Sequence, residues 1–185
     1  SQEGAELNER RMPNTVVAGP PYPHFNTDAL WRFIITSLQE FAPSINSIVP
    51  VTHGACAALL SDSGELALPV LDYEFDGPDK TRQTYDPPPF DKTGSPALPG
   101  GLNVGAQLHY LQTLHADAFA KATQLLFWPQ YWGFRLTGIA SAELTSLGCH
   151  TDLWDHANAT PSSMAKKRGW DALIPKLCHA GEVLG

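Results

Sequence analysis

Two apolar runs in the first half of the chain have the composition of β-strands, and a polar triplet separates them. The run "SIVPV" precedes Thr52-His53-Gly54, and "ACAALLSDSGELALPVLDY" follows it. The first run with its triplet predicts one strand, and the second predicts two strands joined by a turn at Ser61–Gly64. Burying an imidazole inside such a run is costly unless the ring is hydrogen-bonded. His53 therefore requires either a structural or a functional explanation.

Helical patterns lie on both sides of these strands. The first, "DALWRFIITSLQEF", carries one apolar stripe, with Thr27 predicted as its N-cap and Pro43 as its stop. Four later segments predict further helices: "LNVGAQLHYLQTL", "ADAFAKATQLLFW", "PQYWGFRLTG" and "TPSSMAKKRGW". In the last of these, Thr160 is the predicted N-cap and Gly169 the predicted stop. Helix, strands and then helices predict an α/β fold.

Two stretches lack this periodicity. Residues 1–16 form a polar N-terminal segment, although Thr15–Val17 has the composition of a short strand. Residues 77–101 are polar and rich in proline, which predicts a long ordered loop. A loop of that length in a compact domain is more often functional than idle.

Composition excludes several classes of protein. A chain of 185 residues corresponds to one domain or part of one, and its net charge of −7 lacks the basic footprint of a nucleic-acid binder. The apolar runs are far shorter than a membrane span. Three cysteines, an odd number without paired spacing, predict reduced thiols and a cytoplasmic protein rather than a disulfide scaffold.

The residues themselves leave the role of His53 open between a hydrogen-bonded buried histidine and a ligand-binding group. Gly54 favours the second, because a glycine lets the backbone bend or another molecule approach closely. A nucleophile pair of His53 with Cys56 is disfavoured, since positions three apart on a strand point to opposite faces. The acidic run of Asp72, Glu74, Asp76 and Asp79 suits polyol hydroxyls, a hydrated magnesium ion or simply a solvated loop.

The segment "CHTDLWDH", from Cys149 to His156, contains five potential metal ligands. Structural zinc sites usually draw paired ligands from a longer span, and nothing here supplies a third ligand at comparable spacing to Asp152 and His156. We therefore predict no metal site. A hydrolase that uses Cys56 or this Asp/His cluster remains a third alternative.

Several segments in order resemble the FGGY family of carbohydrate kinases. "PYPHFNTDALWRFIITSLQEF" is similar to the lead into the family's first long helix, and "VPVTHGACAALLSDSGELALPVLDYE" to its sugar-site strand with the following turn. "LNVGAQLHYL", "FWPQYWGFRLTG" and "ELTSLGCHTDLWD" resemble the next three segments of the family. The resemblance extends from about Thr15 to Gly185.

The resemblance implies a ribonuclease H-like, actin-like ATPase domain with a mixed sheet flanked by helices. Residues 1–185 would be part of the N-terminal, sugar-binding domain, incomplete at both ends. Family members have two such domains, with ATP, Mg²⁺ and sugar bound for transfer of the γ-phosphoryl group. The catalytic aspartate is expected beyond Gly185. We accordingly expect the parent protein to be an ATP-dependent kinase and these residues alone to be inactive and to bind neither ATP nor Mg²⁺.

By position, the resemblance assigns Thr52 and His53 to hydrogen bonds with sugar hydroxyls and Gly54 to making room for the sugar. Asp72 would accept hydroxyl hydrogen bonds, and Asn103 would be a further contact at a helix start. The expected substrate is a ketose or polyol, such as a ribulose, rhamnulose, fuculose or xylulose. The alternative function is a non-catalytic module that binds a small polyol or a partner. The resemblance also implies that these residues lack an edge strand of the family's sheet, and an unpaired edge predicts a homodimer.

Overall fold

A computed structural model describes residues 5–185 of the chain. The α/β class is confirmed, but the expected mixed sheet is not found in this range. Instead the strands form three separate antiparallel pairs: β1 (Val16–Val17) with β2 (His24–Phe25), β3 (Ala57–Leu60) with β4 (Gln124–Phe127), and β5 (Trp154–Asp155) with β6 (Thr160–Pro161). The first four residues of the predicted polar segment 1–16 lie outside the described range.

Seven α-helices and three 3-10 helices connect these pairs within residues 5–185. The longer helices are α1 (Thr27–Phe41), α3 (Val104–Leu114) and α5 (Trp128–Thr137). The shorter ones are α2 (Phe90–Thr93), α4 (Ala116–Phe119), α6 (Leu144–Leu147) and α7 (Ser163–Arg168). The 3-10 helices span Ala42–Ser44, Gly77–Thr84 and Asp171–Leu173. The long loop predicted at 77–101 therefore contains two short helices.

The predicted helix ends are partly right. Asn26 rather than Thr27 caps α1, because its Oδ1 accepts a hydrogen bond from the backbone N–H of Ala29 at 3.0 Å. Ser162 rather than Thr160 caps α7, since Thr160 and the following proline belong to β6. The predicted stop at Gly169 is confirmed: this residue has a φ of 74°, in the left-handed region that glycine adopts without strain.

One helix prediction and two strand predictions are wrong. The second strand expected within "ACAALLSDSGELALPVLDY" is reduced to isolated bridges at Leu66 and Leu71. The helix expected over "ADAFAKATQLLFW" ends at Phe119, and Gln124–Phe127 is instead strand β4, which pairs with β3 along its whole length. The strand expected over "SIVPVTH" is absent: this segment has no regular secondary structure, and Val51 is 86% exposed. His53 is exposed as well, so the cost of burying an imidazole does not arise.

The core consists of two hydrophobic clusters that meet at β3 and β4. One gathers the inner faces of α3 and α7 around Leu125 and the fully buried Trp170. The other packs Phe25 and α1 against the aromatic start of α5. Alternate residues of β3 and β4 contribute to opposite clusters, as the two-residue period of a strand requires. None of the helices within residues 5–185 has both the length and the apolar composition needed to cross a membrane.

Candidate functional site

The segment just before β3 forms an exposed turn of polar groups beside an aromatic cluster. The His53 ring lies 4.6 Å from the Tyr73 ring and 5.8 Å from the Phe25 ring, measured between centroids. His53 Nδ1–H donates to the Gly54 carbonyl at 2.9 Å, and the Thr52 hydroxyl donates to the His53 carbonyl at 3.0 Å. These local bonds leave the Nε2 side of the imidazole available to another molecule.

Gln107 of α3 fastens this turn to the start of its own helix. Its side-chain Nε2 donates to the carbonyls of Ala55 and Gly101, each at 2.6 Å. A Cβ at Gly101 would lie 2.8 Å from the Tyr73 carbonyl oxygen, closer than such atoms approach, so this position admits only glycine. The turn at 52–55, the Tyr73 backbone and the segment before α3 are thus held together by contacts that sequence analysis did not predict.

Asp72 directly precedes Tyr73, the residue whose ring packs against His53. The Asp72 backbone N–H donates to the Pro23 carbonyl at 3.0 Å, and its Oδ1 accepts from the Glu74 N–H at 3.2 Å. Burial raises the pKa of the Cys56 thiol, and the negative charge of Asp72 raises it further. A thiol with a raised pKa stays protonated and is a poor nucleophile, which disfavours the Cys56 hydrolase alternative.

Asn103, the fifth predicted site residue, is not brought against the turn at 52–54. Its side chain is buried: Oδ1 caps α3 by accepting from the Ala106 N–H at 3.2 Å, while Nδ2 donates to Asp152 Oδ2 at 2.8 Å. The structure therefore joins Thr52, His53 and Gly54 with the segment that contains Asp72 and Tyr73. The Asn103 amide is engaged in a separate polar network.

That network centres on Asp152, which the sequence suggested only as a metal ligand or as part of a hydrolase Asp/His cluster. The Tyr85 hydroxyl donates to Asp152 Oδ2 at 2.7 Å, and the Thr93 hydroxyl donates to Oδ1 at 3.3 Å. Burial raises the pKa of Asp152, although hydrogen bonds from Tyr85, Asn103 and Thr93 oppose the rise. Burial also raises the pKa of Tyr85, with the neighbouring carboxylate adding to the effect. No local sequence pattern announced this network, since its members come from four separate segments.

The other potential ligands in "CHTDLWDH" are dispersed. The His156 Nε2 atom lies 3.2 Å from the Gly148 carbonyl oxygen. The Asp155 carboxylate accepts hydrogen bonds from the backbone N–H groups of residues 157 and 158. Among residues 5–185, no three His, Cys, Asp or Glu side chains gather as a metal site would require. The described residues therefore do not fit a Mg²⁺ site of their own.

Comparison with known proteins gives one class of match. No protein-family model matches the chain, and no curated protein matches it. Among solved structures, a carbohydrate kinase from Novosphingobium aromaticivorans is 43% identical and superimposes with a TM-score of 0.87. The match covers 94% of this chain and 38% of that one.

Two more distant structures share the fold. A ligand-bound xylulose kinase from Lactobacillus acidophilus is 14% identical with a TM-score of 0.74, and the match covers 94% of this chain and 37% of that one. A xylulose kinase from Rhodospirillum rubrum is 19% identical with a TM-score of 0.70, over 94% of this chain and 39% of that one. The chain thus has the fold of a part of carbohydrate kinases and spans less than two-fifths of the length of each.

Proposed function

We propose that this chain is the sugar-binding part of an ATP-dependent carbohydrate kinase of the FGGY type. The observation that carries the proposal is the match to a carbohydrate kinase at 43% identity over 94% of the chain. That identity is well above the level at which only a fold is shared, as it is with the two xylulose kinases below 20%.

The proposed sugar contact is the turn at Thr52–Gly54 together with Asp72. The turn is exposed and yet anchored, because Gln107 bonds the Ala55 carbonyl and the His53 ring packs on Tyr73. A group held in this way loses little conformational freedom when it binds a ligand. An added Cβ at Gly54 would meet nothing within 4 Å, so the space beside His53 is open to a molecule from outside.

These groups have the chemistry that a hydroxyl-rich ligand needs. An imidazole nitrogen and a threonine hydroxyl each donate or accept a hydrogen bond, and the Asp72 carboxylate accepts from sugar hydroxyls. The ring of Tyr73, which stacks on the buried Phe25, gives the same site an apolar wall. A ketose or polyol presents both hydroxyls and a carbon backbone, and it is the substrate class that we propose.

Phosphoryl transfer depends mainly on positioning and on electrostatic stabilisation by ATP-bound Mg²⁺. The described residues contain no glycine-rich phosphate loop and gather no metal ligands, so we derive no step of the transfer from them. In the proposed kinase this part of the chain binds and orients the sugar. ATP, Mg²⁺ and the catalytic base would be bound by or belong to the portion of the kinase that the match does not cover.

Calorimetry of the purified chain with a panel of ketoses tests the proposal. We expect at least one sugar to bind, and we expect His53→Ala to abolish that binding while circular dichroism shows an unchanged fold. His179→Ala is the matched control, because His179 is exposed and lies far along the sequence near the C-terminal end.

Three results would contradict the proposal or part of it. Absence of binding across the whole panel would remove the sugar site, and equal binding by His53→Ala and the control would move it elsewhere. Sugar-dependent hydrolysis of ATP by these 185 residues alone would show that the chain contains its own catalytic base. It would overturn the proposal that ATP, Mg²⁺ and the base belong to the portion of the kinase that the match does not cover.

A further inference from the structure

A cavity lies away from the turn at 52–54, and it is called the polar cavity below because a few buried polar side chains interrupt its apolar lining. It has a volume of about 170 Å³ and is enclosed by the segment between Arg82 and Leu98, with Asn103 and Asp152 also in its lining. Neither the turn at 52–54 nor Asp72 contributes to this lining. By volume the cavity has room for roughly five or six water molecules, or for one small organic molecule.

The wall of this cavity is rigid and apolar. Pro87, Pro88 and Pro96 supply much of it, and a proline ring has no side-chain rotamers to lose on binding. Arg82, also in the lining, is fixed by two hydrogen bonds: its Nε donates to Asp79 Oδ1 at 2.8 Å and its Nη2 donates to the Leu98 carbonyl at 2.7 Å. An apolar wall with a few fixed polar groups is the usual form of a small-molecule site.

The buried polar side chains of the cavity retain hydrogen-bonding capacity. Ser95, which is 7% exposed, accepts backbone N–H bonds from Thr151 and Asp152, both at 3.2 Å. Within residues 5–185 its own hydroxyl proton has no hydrogen-bond acceptor among the contacts described. Asp152 Oδ1 accepts one long bond, from Thr93 at 3.3 Å, although a carboxylate oxygen has two acceptor positions. One donor and one acceptor thus remain unused in the cavity lining.

The charges select a neutral ligand. A small anion would meet the buried Asp152 carboxylate, while a cation would meet the Arg82 guanidinium in the lining. The charge of Arg82 is already balanced by Asp79, so little positive charge remains to attract the carboxylate of an amino acid. A hydroxyl group both accepts and donates, which matches the unused Ser95 donor and the unused Asp152 acceptor.

We propose that this cavity binds a small neutral polyol, with one hydroxyl accepting from Ser95 and donating to Asp152 Oδ1. The site is separate from the sugar contact at the 52–54 turn and does not depend on the proposed kinase function. Asn103 caps α3 and donates to Asp152, and Gln107 of the same helix bonds the turn at 52–55. A ligand bound to Asp152 would therefore be connected through α3 to that turn.

Amide chemical shifts of the ¹⁵N-labelled chain test this proposal with three probes of increasing length: 1,2-propanediol, glycerol and erythritol. We expect saturable shifts at the backbone amides of Ser95, Gly100 and Asp152, with at least one of the three probes. Glycine and inorganic phosphate serve as the zwitterionic and anionic comparisons, and neither is expected to saturate the same amides.

Ala97→Trp supplies the matched test. Ala97 lines the cavity but is exposed, so an indole there fills the opening without entering the core. We expect polyol binding to weaken about tenfold or more, whereas Ala180→Trp, an equally large change at an exposed position outside the lining, leaves it within a factor of about two.

Several outcomes would overturn the proposal. These are unsaturated shifts at all polyol concentrations, shifts confined to the amides of residues 52–55, and preferential saturation by glycine or phosphate. Unchanged binding in Ala97→Trp would also overturn it. The titration of the unsubstituted chain decides the first three outcomes even if the tryptophan variant fails to fold. Loss of sugar binding at His53 would leave this result unaffected, so the two proposals fail separately.

Discussion

Substitutions of Asp152 separate two effects on stability: the hydrogen bonds that its carboxylate accepts and the cost of burying the charged carboxylate. Its carboxylate accepts hydrogen bonds from Tyr85, Asn103 and Thr93, and its backbone has a φ of 59°, in the left-handed region. Asp152→Ala removes the acceptor of all three bonds. The Tyr85 hydroxyl retains Asn103 Oδ1 at 3.3 Å, so two buried donors, at Asn103 and Thr93, are left without their partner. Asp152→Asn keeps a carbonyl oxygen in the same place and tolerates the left-handed backbone.

The magnitude follows from these contacts. Each buried donor left unsatisfied costs about 1–3 kcal/mol, and alanine in a left-handed conformation adds about 1 kcal/mol. Removing the carboxylate also removes the penalty for desolvating it, which offsets part of this loss of stability. We expect the free energy of unfolding to fall by about 3 kcal/mol in Asp152→Ala and by less than about 1 kcal/mol in Asp152→Asn. For a chain of this size, 3 kcal/mol corresponds to a fall in Tm of roughly 6–12 °C.

The pH dependence gives a second, independent readout. Because burial raises the pKa of Asp152, the folded chain holds this proton more tightly than the unfolded chain does. The contribution of this carboxyl to stability therefore decreases as pH rises from below its ordinary value of 3.8 through the raised value. Asp152→Asn has no such proton, so its stability relative to the unsubstituted chain should improve over the same rise in pH.

Chemical denaturation of the three proteins, followed by circular dichroism at several pH values, measures both effects. Equal stability of Asp152→Ala and Asp152→Asn would refute the hydrogen-bond reasoning, since the two differ mainly in the acceptor oxygen and the backbone preference. A pH-independent difference between Asp152→Asn and the unsubstituted chain would refute the inference that burial raises the carboxyl pKa.

Two further predictions concern local packing and capping. Gly105→Ala should destabilise the chain by about 1–3 kcal/mol in thermal unfolding, because its Cβ would lie 2.5 Å from the Thr151 carbonyl oxygen. The matched Gly133→Ala in α5, whose Cβ would meet nothing closer than 4.0 Å, should stabilise by about 0.5–1 kcal/mol, and a loss in both would contradict the packing argument. Glu143→Ala should cost about 1 kcal/mol above pH 4.5, because the carboxylate caps α6. Burial alone would raise the Glu143 pKa, but hydrogen bonds from Ser146 and Thr145 outweigh it and lower the pKa, so this contribution should vanish as pH falls through the lowered value. A constant cost across that titration would show that the cap is not the cause.

The parts of the fold that the sequence predicted are those decided by neighbours along the chain. Helices α1, α3 and α5 have apolar periodicity or local end signals such as Gly138 and Asn103. Strand β4 was mistaken for helix because "QLLF" suits either structure, and pairing with β3, far away in the chain, decides between them. "SIVPVTH" has strand composition but no pairing partner among residues 5–185, and it is therefore irregular.

The same distinction applies to the candidate site. The triplet Thr52-His53-Gly54 was predicted from residues adjacent in sequence, and the structure places it on the surface beside Tyr73. The polar cavity was indicated only by the length of the proline-rich loop at 77–101. Its Ser95 and Asp152 lie 57 positions apart, and no spacing rule relates them. Contacts of this kind arise from the packing of distant segments, which a single sequence does not encode as a pattern.

The pairing of β3 with β4 also constrains the order in which these sites form. The Thr123 side chain and the Leu60 carbonyl that it approaches at the end of this pair are 63 positions apart. Closing a flexible loop of that length costs roughly 4 kcal/mol of chain entropy before any contact compensates for it. Both the 52–54 turn, directly before β3, and the polar cavity, built from the enclosed segment and Asp152, depend on that closure. We therefore expect the two sites to appear together and late in folding, after the most distant parts of the core have met.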